Sequence, residues 1–141
     1  MIPEINWLAV ALATISSMIV GSIWYARAVF GKRWMALAKI DESTMGNGVG
    51  AIIVTIIVSF ITATVLAGAA AIAQNFYGGN FLINCLVTAA ILWAGFTAAR
   101  FITHDAFERR PAALTTLTLA HELVTILVMA LIIGLFGISA A

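Results

Sequence analysis

Charged side chains are what this sequence has least of. Asp, Glu, Lys and Arg make up 9% of its 141 residues, against roughly 25% in ordinary soluble domains. Hydrophobic residues make up 63%, where soluble chains hold about 45–50%. A water-soluble core of this size cannot hide that much apolar surface, so a conventional soluble domain is excluded. No run of Lys and Arg is dense enough for a nucleic-acid footprint, and no nucleic-acid partner is expected. The single cysteine, Cys85, excludes an intramolecular disulfide framework and a multi-cysteine zinc site. It reads as a small buried apolar side chain. Only two histidines occur, His104 and His121. His121-Glu122 begins like a metalloprotease helix, but the residue three positions past the Glu is Thr125, not a second histidine. No metal site and no cofactor are expected. No glycine loop marks a nucleotide site and no spacing marks a serine–histidine–carboxylate nucleophile, so no catalytic residue is assigned and the chain reads as non-enzymatic.

What the sequence does have is long apolar runs, at about 5–29, 49–73, 81–103 and 112–138. A transmembrane helix needs about 20 such residues. The expected fold is all-α, one integral membrane domain over 1–141 built as a bundle of four transmembrane helices. Ala26-Arg27-Ala28 resembles a signal-peptide cleavage site, but Glu4 precedes the first run and no Lys or Arg does. That run is also longer than a typical ~7–15-residue signal core, so it reads as a retained helix. Small residues recur at every fourth position: Ala9, Ala13, Ser17, Gly21; Ser59, Ala63, Ala67, Ala71; and Ala90, Ala94, Ala98. Such ladders let helices approach closely, and a homodimer or higher homo-oligomer formed on these faces is the expected assembly. Trp7 near one end of the first run, and Trp24 with Tyr25 near the other, fit aromatic belts. Trp93 falls mid-run and is expected between helices.

The connections set topology. All seven Lys and Arg residues lie in or beside 26–47 and 104–111, as Arg27, Lys32, Arg33, Lys39, Arg100, Arg109 and Arg110. The uncharged turn at 74–80 has none. The positive-inside rule therefore places both charged connections in the cytoplasm and both termini on the extracytoplasmic side. Trp34, Leu37 and Ile40 recur at helical spacing, which fits a short interfacial helix between helices 1 and 2, in contact with membrane lipids.

The fourth run carries His121 and Glu122 about midway along. An ionisable side chain in hydrocarbon needs a partner or water. Thr118, His121 and Thr125 share a helical face, with Glu122 about 100° away; these four form the candidate intramembrane polar site. At the cytoplasmic mouth, Arg100, His104, Asp105 and Glu108 are candidate charges, with Arg100 and Glu108 able to close it. The pair at 121–122 has two readings. It lies on the route of a small solute or ion, as glutamate suits a proton or cation and histidine exchanges protons near neutral pH. Alternatively the two side chains satisfy each other, a tryptophan N–H or nearby threonines, in a structural or accessory subunit without transport activity.

Three stretches carry a resemblance: Asn6-Trp7-Leu8-Ala9-Val10, Gly21-Ser22-Ile23-Trp24-Tyr25 and Phe30-Gly31-Lys32-Arg33-Trp34-Met35. Together with Phe107-Glu108-Arg109-Arg110-Pro111 and the polar His121 of the last helix, the chain resembles the domain-of-unknown-function 1761 family of small bacterial membrane proteins. The resemblance implies a four-helix integral membrane protein and no established activity.

The topology is open to cysteine-accessibility labelling in intact cells. A cysteine at Asn75 is expected to label from outside and one at Lys39 only after permeabilisation; the reverse pattern contradicts the assignment.

Overall fold

A computed structural model describes residues 3–138. Helix α1 spans Trp7–Trp24. The Asn6 carboxamide oxygen accepts the Ala9 N–H at 3.1 Å, supplying one of the bonds a helix start lacks. The Asn6 amide donates across to the carbonyls of Phe136 and Gly137, both at 3.3 Å, and so ties the start of the chain to the end of the last helix.

The first apolar run was expected to be helical to 29, but α1 stops at Trp24. Ala26 is extended (ψ 142°), and a π-helical turn, Arg27–Gly31, leads into α2, Lys32–Ala38. The turn closes so tightly that a Cβ at residue 31 would collide with the Tyr25 carbonyl and the Ala26 backbone, so only glycine fits there. A 3₁₀ turn, Glu42–Thr44, follows, with Arg27 paired to Glu42. Asp41 caps that turn, and the Ser43 N–H at 2.9 Å, aided by the Ser43 side chain, holds the Asp41 carboxyl below the usual range.

Helix α3 spans Val49–Tyr77. After the turn at Gly78-Gly79 comes α4, Phe81–Leu92, which runs through a second π-helical turn, Trp93–Ala98, into α5, Ala99–Phe107. Pro111, which has no N–H to lose, precedes α6, Ala112–Phe136. The four spans, Trp7–Trp24, Val49–Tyr77, Phe81–Phe107 and Ala112–Phe136, are each long and apolar enough to cross a membrane. Their outer faces carry large apolar side chains such as Ile53, Ile57, Ile61 and Val65, the inverse of a water-soluble helix. The chain is a multi-pass helical membrane protein.

Around the bundle α1 packs on α3, α3 on α4, α4 on α6 and α6 on α1; α3 also touches α6 across the centre, while α1 and α4 do not meet among the described residues. The chain begins and finishes its spans at one end, and the basic residues gather toward the other. The interior is made of small residues and a few large ones: Ala9, Ala13, Ala63, Ala70, Cys85, Ala89 and Ala130 around Val10, Leu66, Met129 and Ile133.

Two of the three small-residue ladders face inward. Ala9, Ala13 and Ser17 are buried, as are Ser59, Ala63, Ala67 and Ala71, so these faces are taken up between helices of one chain. The third differs: Ala90 and Ala94 are exposed, and the buried face of that span runs through Cys85 and Ala89. In an unbroken α-helix this face would continue from Trp93 to Thr97 and His104. The π-turn adds one residue, which moves the face to Ala98 and Asp105; both are buried, while His104 is exposed.

Helices α4 and α6 approach closely at Gly134, where an added Cβ would lie 2.6 Å from Leu82 Cδ1 and 2.8 Å from Leu82 Cα. Gly134→Ala gains about 1 kcal/mol of helix propensity but overpacks at a cost of about 1–3 kcal/mol. The expected result is a lowered melting temperature in detergent, with Gly50→Ala, which meets open space, unchanged or raised. A raised melting temperature for Gly134→Ala contradicts this packing.

Candidate functional site

His121 lies nine residues into α6, about 14 Å along its axis. Its ring is held from both sides. Nδ1 is 3.3 Å from Glu122 Oε1, and Nε2 is 3.4 Å from Thr125 Oγ1. Both bonds are long. The arrangement that satisfies both nitrogens puts the proton on Nδ1, donating to the carboxylate, and lets Nε2 accept from the Thr125 hydroxyl. Helix α1 ends opposite: a Cβ added at Gly21 would sit 3.7 Å from Nε2. The Tyr25 ring is 4.9 Å from the imidazole and the Trp24 ring 5.9 Å, centroid to centroid. Trp24 packs in turn on Phe30 at 4.6 Å and Tyr25 on Trp34 at 5.2 Å. Trp24 and Tyr25, expected in an interfacial belt, thus cap His121. The Trp24 Nε1–H is buried without an acceptor among the described residues, the kind of open donor that is uncommon in folded proteins.

Beside the pair is a cavity of about 170 Å³. Every span contributes to its wall: Ser17 from α1, Ser59 and Thr62 from α3, Thr97 from the π-turn, and His121, Glu122 and Thr125 from α6. Ile126 and Met129 close it toward the apolar core. The hydroxyl protons of Ser17 and Thr62 are already donated, to the Thr14 carbonyl at 2.7 Å and the Val58 carbonyl at 3.0 Å. Their oxygens therefore offer lone pairs rather than protons. Among the described residues no Lys or Arg lines the cavity, and no group of three or more His, Cys, Asp or Glu side chains is placed to hold a metal ion. The His121 side chain is 13% exposed and that of Glu122 39%, so the carboxylate is the more accessible member.

The π-turn also holds α6 directly. Trp93, its first residue, donates Nε1–H to the Leu119 carbonyl at 3.1 Å, two residues before His121. This places Trp93 between helices, as its depth in the sequence implies.

The other sequence candidates separate. Thr118 does not line the cavity; it lies in a cleft toward the basic end with Trp34, Leu37 and Leu114. Asp105 is buried, accepting from Thr115 Oγ1 at 2.6 Å and lying 3.8 Å from Arg110 Nε. Glu108 pairs with Arg110 at 2.6 Å, so Arg110 and not Arg100 is its partner. Arg100 and His104 are exposed. Ser17, Ser59, Thr62 and Thr97 join the wall without a mark in the sequence that singles them out as site residues. The only available signal was that Ser17 and Ser59 interrupt alanine ladders.

Four spans long and apolar enough to cross a membrane, packed around one another in a chain this short, place it among small multi-pass helical membrane proteins. It belongs to the family described as protein of unknown function (DUF1761), which matches residues 8–134. No curated protein and no solved structure matches the chain. Of the stretches that carry the family resemblance, Trp24-Tyr25 packs against His121 and Phe30 packs on Trp24.

Proposed function

We propose that the bundle binds a small cation, a proton or a monovalent metal ion, at Glu122 and carries it across the cytoplasmic membrane of a bacterium, with the basic end of the bundle inside. The observation that supports this is the cavity beside the carboxylate. Its volume of about 170 Å³ is far above the roughly 10–15 Å³ that one water requires. Its wall offers hydroxyl oxygens and one carboxylate and no cationic side chain, a lining that favours a positive ion and disfavours an anion. The His121 Nδ1 lies 3.3 Å from the Glu122 carboxylate and the Thr125 hydroxyl lies at its other nitrogen, so the imidazole is oriented toward the carboxylate that would bind the ion. The accessory reading draws on the fact that both His121 nitrogens already have partners; on that reading the pair fixes helix register and the cavity stays idle.

Flux into liposomes separates the two. Protein inserted into vesicles is expected to load H⁺, Na⁺ or K⁺ above empty vesicles. Glu122→Gln is expected to lower the rate at least tenfold, and His121→Ala to lower it less. Absence of flux for every ion tested, or a Glu122→Gln variant as fast as wild type, contradicts the proposal.

A further inference from the structure

A second, larger cleft lies at the basic end, between α2 and the start of α6, and takes no part in the ion site proposed above. Its volume is about 470 Å³. Its rim carries three cations, Lys39, Arg109 and Arg110, and one carboxylate, Glu108; Arg110 is taken by Glu108 and Asp105, whereas neither Lys39 nor Arg109 makes an ion pair among the described residues. Both Lys39 and Arg109 adopt a left-handed backbone, each with φ 54°. Lys39 ends α2 there, and Arg109 turns the chain between α5 and Pro111. These conformations are uncommon for residues other than glycine, and they place both cations on the connections that border the cleft. Below the rim the wall is apolar, with Trp34, Leu37 and Leu114 down to Thr118. From Pro111 to Thr118 is seven residues, about 10 Å along the helix.

We propose that this cleft holds the headgroup of an anionic phospholipid, its phosphate between Lys39 and Arg109 and the start of its acyl chain along Leu37, Leu114 and Thr118. Two unpaired cations over an apolar slot match a molecule that is anionic at one end and apolar below. The cleft opens at the end of the transmembrane bundle, where such headgroups lie. Basic pockets between membrane helices attract anionic lipid at about 1 kcal/mol per cation.

Native mass spectrometry of the full chain, released from nanodiscs of mixed phosphatidylglycerol and phosphatidylcholine, tests the site. Wild type is expected to retain phosphatidylglycerol in preference. Lys39→Asn and Arg109→Asn, which remove charge with the residue best suited to a left-handed backbone, are expected to weaken retention about fivefold each and roughly 25-fold together. Lys39→Arg and Arg109→Lys are expected to keep it, as is Lys32→Gln, whose charge lies outside the cleft. Should an asparagine variant fail to insert, Thr118→Phe fills the lower slot without touching either charge and is expected to reduce retention. Equal retention of the two lipids, unchanged retention in the charge or slot variants, an equal loss in Lys32→Gln, or full displacement by millimolar inorganic phosphate would each overturn the assignment.

Discussion

An ionisable pair in the middle of an apolar helix needs a partner or water, and in this bundle His121 lies between Glu122 and Thr125 while all four spans border the space beside them. A carboxylate at the centre of a membrane helix costs about 2.5–3.5 kcal/mol on insertion scales. Around Glu122 and His121 the cost is met from each direction. Thr125 engages the far nitrogen of the imidazole. The end of α1 places Trp24 and Tyr25 against one side of the ring. Beside the pair, hydroxyls from α1, α3 and the π-turn replace hydrocarbon. Shortening α1 is part of the same solution. Were it helical to residue 29, as the run of apolar residues implies, Phe30 and Trp34 would not fold back to support Trp24 and Tyr25. The fold-back depends on Gly31, because any side chain there meets the Tyr25 carbonyl.

Close packing and polarity are graded along the same faces. In α1 the buried face passes from Ala9 and Ala13 to Ser17 and then to Gly21 beside His121. In α3 the corresponding face is alanine at 63, 67 and 71 and serine at 59. Toward the ends joined by Asn6 the helices touch through the alanine methyl groups of α1 and α3. Toward the basic end the alanines give way to hydroxyls and the cavity opens. The π-turn adjusts the third span to this gradient: its extra residue shifts the inward face to Ala98 and Asp105, leaving Thr97 at the border of the cavity and burying Asp105 against Thr115.

Much of this was legible in the residues, and the parts that were not have physical causes. Four apolar runs, a glycine reversal at 78–79 and Pro111 before the last helix are local signals, and the spans lie where those signals place them. The break after Trp24 left no such mark, because Ala28, Val29 and Phe30 prolong the apolar run and the turn is made by a tertiary contact at Gly31. The π-turn is a one-residue insertion without a composition of its own; of the third ladder, Ala90, Ala94 and Ala98, only Ala98 at the end of that turn shares the inward side with Cys85 and Ala89. Within the candidate site, Glu122, His121 and Thr125 stood out by charge and spacing, while Thr62 did not. Its hydroxyl bonds back to the preceding turn just as that of the outward-facing Thr55 does, so the two look alike until the helices are placed. Thr118 shows the converse, sharing a helical face with His121 yet bordering the cleft under α2.

The central claim is that Glu122 is an accessible, cation-responsive carboxylate within the membrane span. Infrared difference spectroscopy of the lipid-reconstituted protein measures this directly, comparing wild type with Glu122→Gln as pH and then Na⁺ or K⁺ is varied. The account predicts a carboxyl band that is absent in Glu122→Gln, that shifts between protonated and ionised forms with pH, and whose midpoint or frequency moves when the cation is added. A Glu122 band unmoved by pH and by either cation would contradict it.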